Sequence, residues 1–252
     1  MLKAFEAETG YSPFTTWEPD DIFVAAYPKS GSTWFQSLIA GTVYGINLEH
    51  ASYKLIGDIV PEYGRDGYYK RYQTPMFYKT HELPDPKMRR VVHLVRDGRD
   101  VMVSYYYFRH ARGTQKKSDY WDIARGETVP PRIGLWHTHT DEWLSNPYGA
   151  DILRIRYEDL LEDGLTELQR FCEFARIERP TGWLQDVLTQ TDFKKMRERE
   201  QRDGMGNLRK WPKDKMFMRR GKSGSFKDEM PVDVLNTFMK IAGSTMDKLG
   251  YR

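Results

Sequence analysis

Ile22-Phe23-Val24-Ala25-Ala26-Tyr27-Pro28-Lys29-Ser30-Gly31-Ser32-Thr33-Trp34 is the stretch on which the reading of this chain turns. Its first five residues are a continuous apolar run, the pattern of a strand buried on both faces. Phe35-Gln36-Ser37-Leu38-Ile39, which follow, read as the first turns of a helix. A strand, a tight glycine-containing loop and a helix N-terminus make an anion cradle. Loop and helix amides point at the ligand, and the helix dipole adds partial positive charge. Lys29 supplies a full charge, and Ser30, Ser32 and Thr33 supply hydroxyl donors. A phosphate or sulfate group suits such a cradle. The lysine precedes the glycine, so this is not the GxxxxGK[ST] pattern. For the loop taken alone, a Ser/Gly-rich βα turn that binds nothing is the alternative.

Working outward, further strands are expected at Met76–Lys79, Val91–Val95 and Ile152–Arg156. Helices are expected from near Thr33, after Asp97-Gly98-Arg99-Asp100, over Gly134–Ser145, over Leu165–Ala175 and from Val232 to Leu249. Strands alternating with helices predict an α/β fold with a central parallel β-sheet flanked by helices. Ligands of such sheets sit at the carboxyl ends of the strands. The Lys29 loop lies at one such end, Arg96 at another, and Lys79 and His81 at a third. With no internal repeat or low-complexity linker, one domain over residues 1–252 is expected.

The 252 residues are 39% hydrophobic, enough for one sizeable core. No segment reaches the length of a membrane span, and the first residues lack the basic and apolar regions of a secretory signal. The single cysteine, Cys172, excludes an internal disulfide framework and a cysteine-based zinc site, and it lies in a helical apolar stripe as a buried, inert thiol. A cytoplasmic location fits these features. Net charge is +3, but the positive charge is concentrated between Lys194 and Lys227, a run that includes Arg209, Lys210, Lys213 and the compact Arg219-Arg220-Gly221-Lys222-Ser223-Gly224. Runs of this kind are usually solvated faces; the glycines and paired arginines of this one suit phosphate.

Arg96 ends its strand and Ser104 lies two turns into the next helix, so a guanidinium and a hydroxyl can grip one phosphate. A surface salt bridge from Arg96 to Asp97 or Asp100 is the plainer alternative. His81 leaves a strand end at an ordinary pKa of about 6.5, suited to a general base. His137 and His139 form an H-x-H without supporting carboxylates; helical i,i+2 residues point apart, and the pair reads as structural or pocket-lining. Tyr53, Tyr63, Tyr68, Tyr69, Tyr72 and Tyr105–Phe108 are candidates for an aromatic acceptor pocket or for core.

Together these motifs resemble the cytosolic-type sulfotransferases, which use 3′-phosphoadenosine 5′-phosphosulfate (PAPS) and release 3′,5′-adenosine bisphosphate (PAP). Tyr27–Trp34 resembles their 5′-phosphosulfate loop, with Trp34 in the place of the adenine-stacking tryptophan. Arg96…Asp100…Ser104 resembles the 3′-phosphate motif, and Lys79-Thr80-His81 the Lys-Thr-His whose histidine takes the acceptor proton. Tyr157-Glu158-Asp159 and Thr191-Asp192-Phe193-Lys194-Lys195-Met196 resemble the adenine-side segments. Met218-Arg219-Arg220-Gly221 begins a stretch similar to the glycine loop over the 3′-phosphate. Asp192 stands where the family has a small hydroxyl residue, and Ser225-Phe226 replaces its Asp-Trp. The Gly45–Thr74 region and the N-terminal arm look shorter than in animal members, and the family's dimerisation motif is not apparent after Lys227, so a family-style dimer is not implied.

The resemblance implies a P-loop-NTPase-like fold and transfer of the sulfuryl group from PAPS to the hydroxyl of a small-molecule acceptor, phenolic or a hydrophobic alcohol. It implies Lys29, Lys79 and His81 as catalytic residues. Lys29, Ser30, Gly31, Ser32, Thr33, Trp34, Arg96, Ser104, Tyr157, Thr191, Phe193, Met196, Met218, Arg219, Arg220 and Gly221 would hold the cofactor. Lys79, His81 and Phe108 would meet the acceptor, with no metal, nucleic acid or membrane partner. Two rivals stay open: a P-loop kinase or NTPase, which lacks its Gly-Lys-Ser/Thr and a Walker B strand end here, and a binding module for 3′-phosphorylated nucleotides or RNA.

Overall fold

A computed structural model describes residues 9–112, 122, 132–205, 211–212 and 214–251. In chain order the elements are β1 (Tyr11–Pro13), β2 (Ile22–Ala26), α1 (Ser32–Thr42), α2 (Tyr53–Ile59), β3 (Glu62–Tyr63), β4 (Tyr68–Lys70), β5 (Phe77–Thr80), β6 (Arg90–Val95), α3 (Gly98–Arg112), α4 (Trp136–Ser145), β7 (Asp151–Arg156), α5 (Tyr157–Glu162), α6 (Gly164–Ala175), α7 (Thr181–Gln190), α8 (Phe193–Asp203), α9 (Phe226–Glu229) and α10 (Val232–Lys248).

Five strands form one sheet in the order β3-β5-β2-β6-β7, and every neighbouring pair is parallel. β2, β5 and β6 are buried at every position, which is why β2 runs apolar without alternation and most of β6 does too. Side chains still alternate between faces. Ile22, Val24 and Ala26 pack with Phe35, Leu38 and Ile39 of α1 and with Phe171 of α6. Phe23 and Ala25 face the other way, onto Tyr78, Val91 and Trp143. A further core joins Val101 and Val103 of α3, Trp136 of α4, and Phe238 and Met246 of α10. β1 and β4 pair antiparallel outside the main sheet. Among the described residues no helix is long and apolar enough to cross a membrane.

The expected α/β architecture is present, with differences at the level of short elements. The strand expected at Met76–Lys79 is β5, which runs one residue later, from Phe77 to Thr80. Helices α2, α5, α7, α8 and α9 were not read from the sequence. Local caps explain two of them: the Ser52 hydroxyl accepts from the Leu55 amide at 3.2 Å, and the Asp192 carboxylate accepts from the Lys195 amide at 2.8 Å. Asp192 thus serves as an N-cap, a duty the small hydroxyl residue it replaces can also perform. Part of the basic run is therefore a helix with Arg199 and Glu200 buried, not a solvated face. Arg209, Lys210 and Lys213 lie outside the described residues. Cys172 is buried in α6 and free, its thiol pushed up by burial.

The entry to β2 is held by Asp21, whose side chain is fully buried. It accepts from the Met76 amide at 2.7 Å, from Tyr78 Oη at 3.1 Å and from the Arg71 guanidinium at 2.6 Å. These contacts tie β2, β5 and the turn after β4 into one register. Removing the guanidinium leaves a buried carboxylate without its counter-charge. Arg71→Met is expected to cost about 3–5 kcal/mol, read as a lowered denaturant midpoint in equilibrium unfolding.

Candidate active site

The carboxyl ends of β2, β5 and β6 release Lys29, His81 and Arg96 onto one edge of the sheet, around a cavity of about 360 Å³. The first loop reaches the cavity through unusual backbone. Lys29 and Gly31 both have positive φ, 77° and 95°. A Cβ on Gly31 would come within 2.7 Å of the Tyr157 ring, so only glycine lets the loop pass beneath that ring. No side chain caps α1, and its opening amides stay available to an anion.

The Lys29 ammonium sits 3.7 Å from the Phe217 ring centre and 4.5 Å from that of Phe108. Burial, then the nearby Arg96 and Lys79 charges, lower its pKa to about 7. Lys79 points to the same cavity, but its Nζ lies 2.8 Å from Glu62 on the neighbouring strand β3. Glu62 also receives Arg65 at 2.9 Å. Burial would raise the Glu62 carboxyl, but Lys79, His81 and Arg65 outweigh it and hold the pKa at about 2.

His81 lies two residues beyond Lys79. Its Nδ1 is 2.6 Å from the Ala26 carbonyl oxygen. A carbonyl only accepts, so Nδ1 carries the hydrogen and Nε2 keeps the lone pair. Its pKa is not near 6.5: burial, then the Lys79 charge, lower it to about 3. The imidazole is therefore neutral throughout the physiological range. His139 is fully buried on α4 with Nε2 3.2 Å from the His81 carbonyl, which gives it a structural contact. His137 is on the same helix and partly buried.

Arg96 donates to the Lys29 carbonyl and to the Lys222 carbonyl, both at 3.2 Å, and lies 4.3 Å over the Tyr157 ring. It stands 3.6 Å from Asp100, an ion pair stretched because the Asp100 carboxylate is engaged elsewhere. That carboxylate accepts from the Gly224 amide at 2.7 Å and the Phe226 amide at 3.0 Å, binding the C-terminal glycine loop to the start of α3. Gly221 has φ 62° and lies against the Phe193 ring, where a Cβ has no room. Arg219 and Arg220 both meet Glu229 Oε1, at 2.6 and 3.0 Å. The Met218 amide donates to the buried Glu200 at 2.8 Å.

Of the residues expected at the site, all but Ser30 line this cavity: Lys29, Gly31, Ser32, Thr33, Trp34, Lys79, His81, Arg96, Ser104, Phe108, Tyr157, Thr191, Phe193, Met196, Met218, Arg219, Arg220 and Gly221. Ser30 is buried outside this lining, its amide donating to the Tyr27 carbonyl at 3.1 Å. Of the aromatic acceptor candidates, Tyr105 and Phe108 line the cavity. Tyr53, Tyr63, Tyr68, Tyr69 and Tyr72 do not; Tyr53, for one, is core, donating to the Met196 carbonyl at 3.1 Å. Glu62 and Glu200 are marked by no motif in the sequence, and the loop-holding role of Asp100 is not visible in the Arg96…Asp100…Ser104 motif that contains it. Buried atoms on the cavity wall without a hydrogen-bond partner include Trp34 Nε1, Arg96 Nε, Arg109 Nε and Ser225 Oγ. Unsatisfied donors beside several cations and an aromatic wall fit a polyanion carrying a planar base.

The family model described as the sulfotransferase domain matches residues 19–250. Sulfotransferase 1A1 of Rattus norvegicus is 29% identical, the match covering 92% of this chain and 86% of the relative. Sulfotransferase 1E1 of Mus musculus is 28% identical over 84% of this chain and 79% of its own length. Among solved structures, retinol dehydratase in complex with androsterone and inactive cofactor PAP superposes with a TM-score of 0.71 at 21% identity, covering 92% of this chain and 82% of that one. A mouse sulfotransferase complexed with PAP gives 0.68 at 18% identity, covering 91% and 84%. These structural likenesses establish the α/β fold.

Asp100→Ala removes the acceptor of two loop amides while leaving Arg96, Lys29 and His81 in place. Unpairing buried amides costs about 1–3 kcal/mol each, so the melting temperature is expected to fall by several degrees. The loop at Lys222–Phe226 should lose amide protection, which hydrogen exchange of the two proteins measures.

Proposed function

The chain belongs to the sulfotransferase domain family and is a sulfotransferase; from that premise we propose that this cavity binds PAPS and that His81 and Lys29 serve the transfer of its sulfuryl group to the hydroxyl of a small acceptor. PAPS supplies the activated sulfuryl group, and PAP is what departs. The reading takes residues 1–252 as one sulfotransferase domain.

The observation that carries it is the convergence of Lys29, His81 and Arg96 on one sheet edge with an aromatic wall between them. Lys29 and the open amides of α1 would hold the transferring end, where charge grows on oxygen during in-line displacement. Arg96, Ser104, Arg219 and Arg220 would hold the 3′-phosphate, the two loop arginines exchanging Glu229 for it. Trp34, Phe193, Met196 and Met218 would enclose the base, with Tyr157, Thr191 and Gly221 shaping its wall. Gly31, Ser32 and Thr33 present backbone and hydroxyl groups to the same end as Lys29. At the other end, His81 Nε2 would take the proton from the acceptor hydroxyl, with Phe108 and Tyr105 giving that acceptor an apolar wall. A phenol or hydrophobic alcohol suits this wall.

Calorimetry with PAP, AMP and ATP tests the nucleotide half: PAP should bind at least about tenfold more tightly than AMP, the worth of one charge-assisted phosphate contact. Equal affinities would remove the 3′-phosphate assignment. His81→Ala should keep PAP affinity and lower turnover by roughly 10²–10⁴-fold, the worth of a general base. Because the neutral imidazole persists down to about pH 3, the wild-type rate should show no inflection near pH 6.5.

Lys29 yields a separate pH prediction. Its pKa of about 7 in the free cavity rises when a phosphate arrives, so binding takes up a proton above that pH. PAP affinity should therefore fall as pH rises from 7 to 9, by up to about tenfold per unit. Lys29→Arg keeps the charge at all these pH values and should flatten the profile; an unchanged slope would point to another titrating group.

A further inference from the structure

Glu62 is the one carboxylate among the described residues that line the cavity, and it shares that wall with Lys29, Arg65, Lys79, Arg96, Arg109, Arg219, Arg220 and Lys222. A carboxylate in an anion site opposes the ligand. Its position is nevertheless closely held. Glu62 pairs with Lys79 in the β3–β5 register, its Oε2 lies 2.8 Å from Lys79 Nζ and 2.9 Å from Arg65 Nη1, and its amide donates to Asp66 at 2.9 Å. Both members of the Lys79 pair are about nine-tenths buried. A glutamine has the same shape and could still accept from Lys79, so packing alone does not call for the charge.

The charge has work to do beside His81. The groups facing that imidazole are Lys79 on β5, Glu62 on β3 and the neutral His139 on α4, with the Ala26 carbonyl on Nδ1. When His81 accepts a proton, a second cation forms next to the Lys79 ammonium. Glu62 is the only opposite charge among those groups.

Building on the reading of His81 as the base, we propose that Glu62 is a positioning residue that weakens nucleotide binding in exchange for turnover: it holds Lys79 at the strand edge and supplies the counter-charge for the imidazolium formed as the acceptor proton moves to His81 Nε2. In that step the acceptor oxygen bonds to sulfur, the bridging oxygen leaves with the electron pair on PAP, and the proton rests on Nε2. The ionised state of Glu62, held at about 2 by its cations, is consistent with this duty across the working pH range.

The signature is a pair of opposite effects. Removing a negative charge from an anion site tightens the anion, and removing the imidazolium's counter-charge slows the step. Glu62→Gln should bind PAP about 3–30-fold more tightly by calorimetry and turn over PAPS and a phenol about 10–100-fold more slowly, at matched melting temperature. Glu62→Asp retains the charge and should recover most of the rate. In a His81→Ala background, Glu62→Gln should still tighten PAP but cost less than about threefold in residual rate, because its kinetic effect runs through the imidazole. Unchanged or weaker PAP binding, unchanged turnover, or a full additive loss in the double variant would each overturn the proposal. If Glu62→Gln does not fold, the charge-removing Glu62→Ala is read for the same two directions, and no change in either overturns the proposal equally. Wild-type protein that fails to bind PAP, or that turns over no acceptor, would instead refute the function proposed above.

Discussion

Concentrating positive charge at one edge of a parallel sheet is the constraint that shapes this molecule. Lys29, Lys79, Arg96, Arg219 and Arg220 line one cavity, and in the absence of an anion they repel one another. The chain answers with buried or half-buried carboxylates, each tied to backbone or to a cation. Glu62 takes Lys79 and Arg65, and Glu229 takes both loop arginines. Asp100 and Glu200 bind loop amides, so the segments bearing Met218 and Lys222 are fastened through backbone donors, with Arg96 a more distant partner of Asp100 at 3.6 Å. Arg96 is spent on the Lys29 and Lys222 carbonyls, which joins the first loop to the last.

This division of labour separates two kinds of acid that look alike in sequence. Those bonded to amides set the geometry of the loops. Those bonded to cations compete with the ligand and set how tightly it is held. The lowered pKa of Lys29 reflects burial first and the unrelieved repulsion from Arg96 and Lys79 second, and an anion that binds beside it favours the ammonium again.

The histidines show how burial reverses an expectation built on exposed side chains. His81 titrates well below its ordinary value because burial and Lys79 both disfavour the imidazolium. A hydrogen bond to the Ala26 carbonyl then settles its tautomer. His139, which might have been a metal ligand from its spacing to His137, instead sits behind His81 and bonds its carbonyl. One ring is the candidate base and the other is its support.

The parallel sheet, the Lys29 loop, the Arg96–Ser104 pair and the Lys79–His81 strand end were legible in the residues, because each is written in a short contiguous segment whose periodicity and turn chemistry are local. The same holds for the aromatic and glycine positions at Trp34, Phe193 and Gly221. Helices such as α2 and α8 were not, since each begins at a single side-chain cap and is fixed by contacts made only after folding. Nor were Glu62 and Glu200, or the grip of Asp100 on the last loop. Their partners are remote in the chain, as Asp100 is from Gly224, or lie across a strand pairing, as Glu62 does from Lys79. Which tyrosines are core and which face the cavity was likewise decided by packing. Residue type and spacing determined the chemistry available at the sheet edge; burial and long-range pairing, which no local pattern encodes, decided the charge states of Lys29 and His81 and the acids that hold the site together.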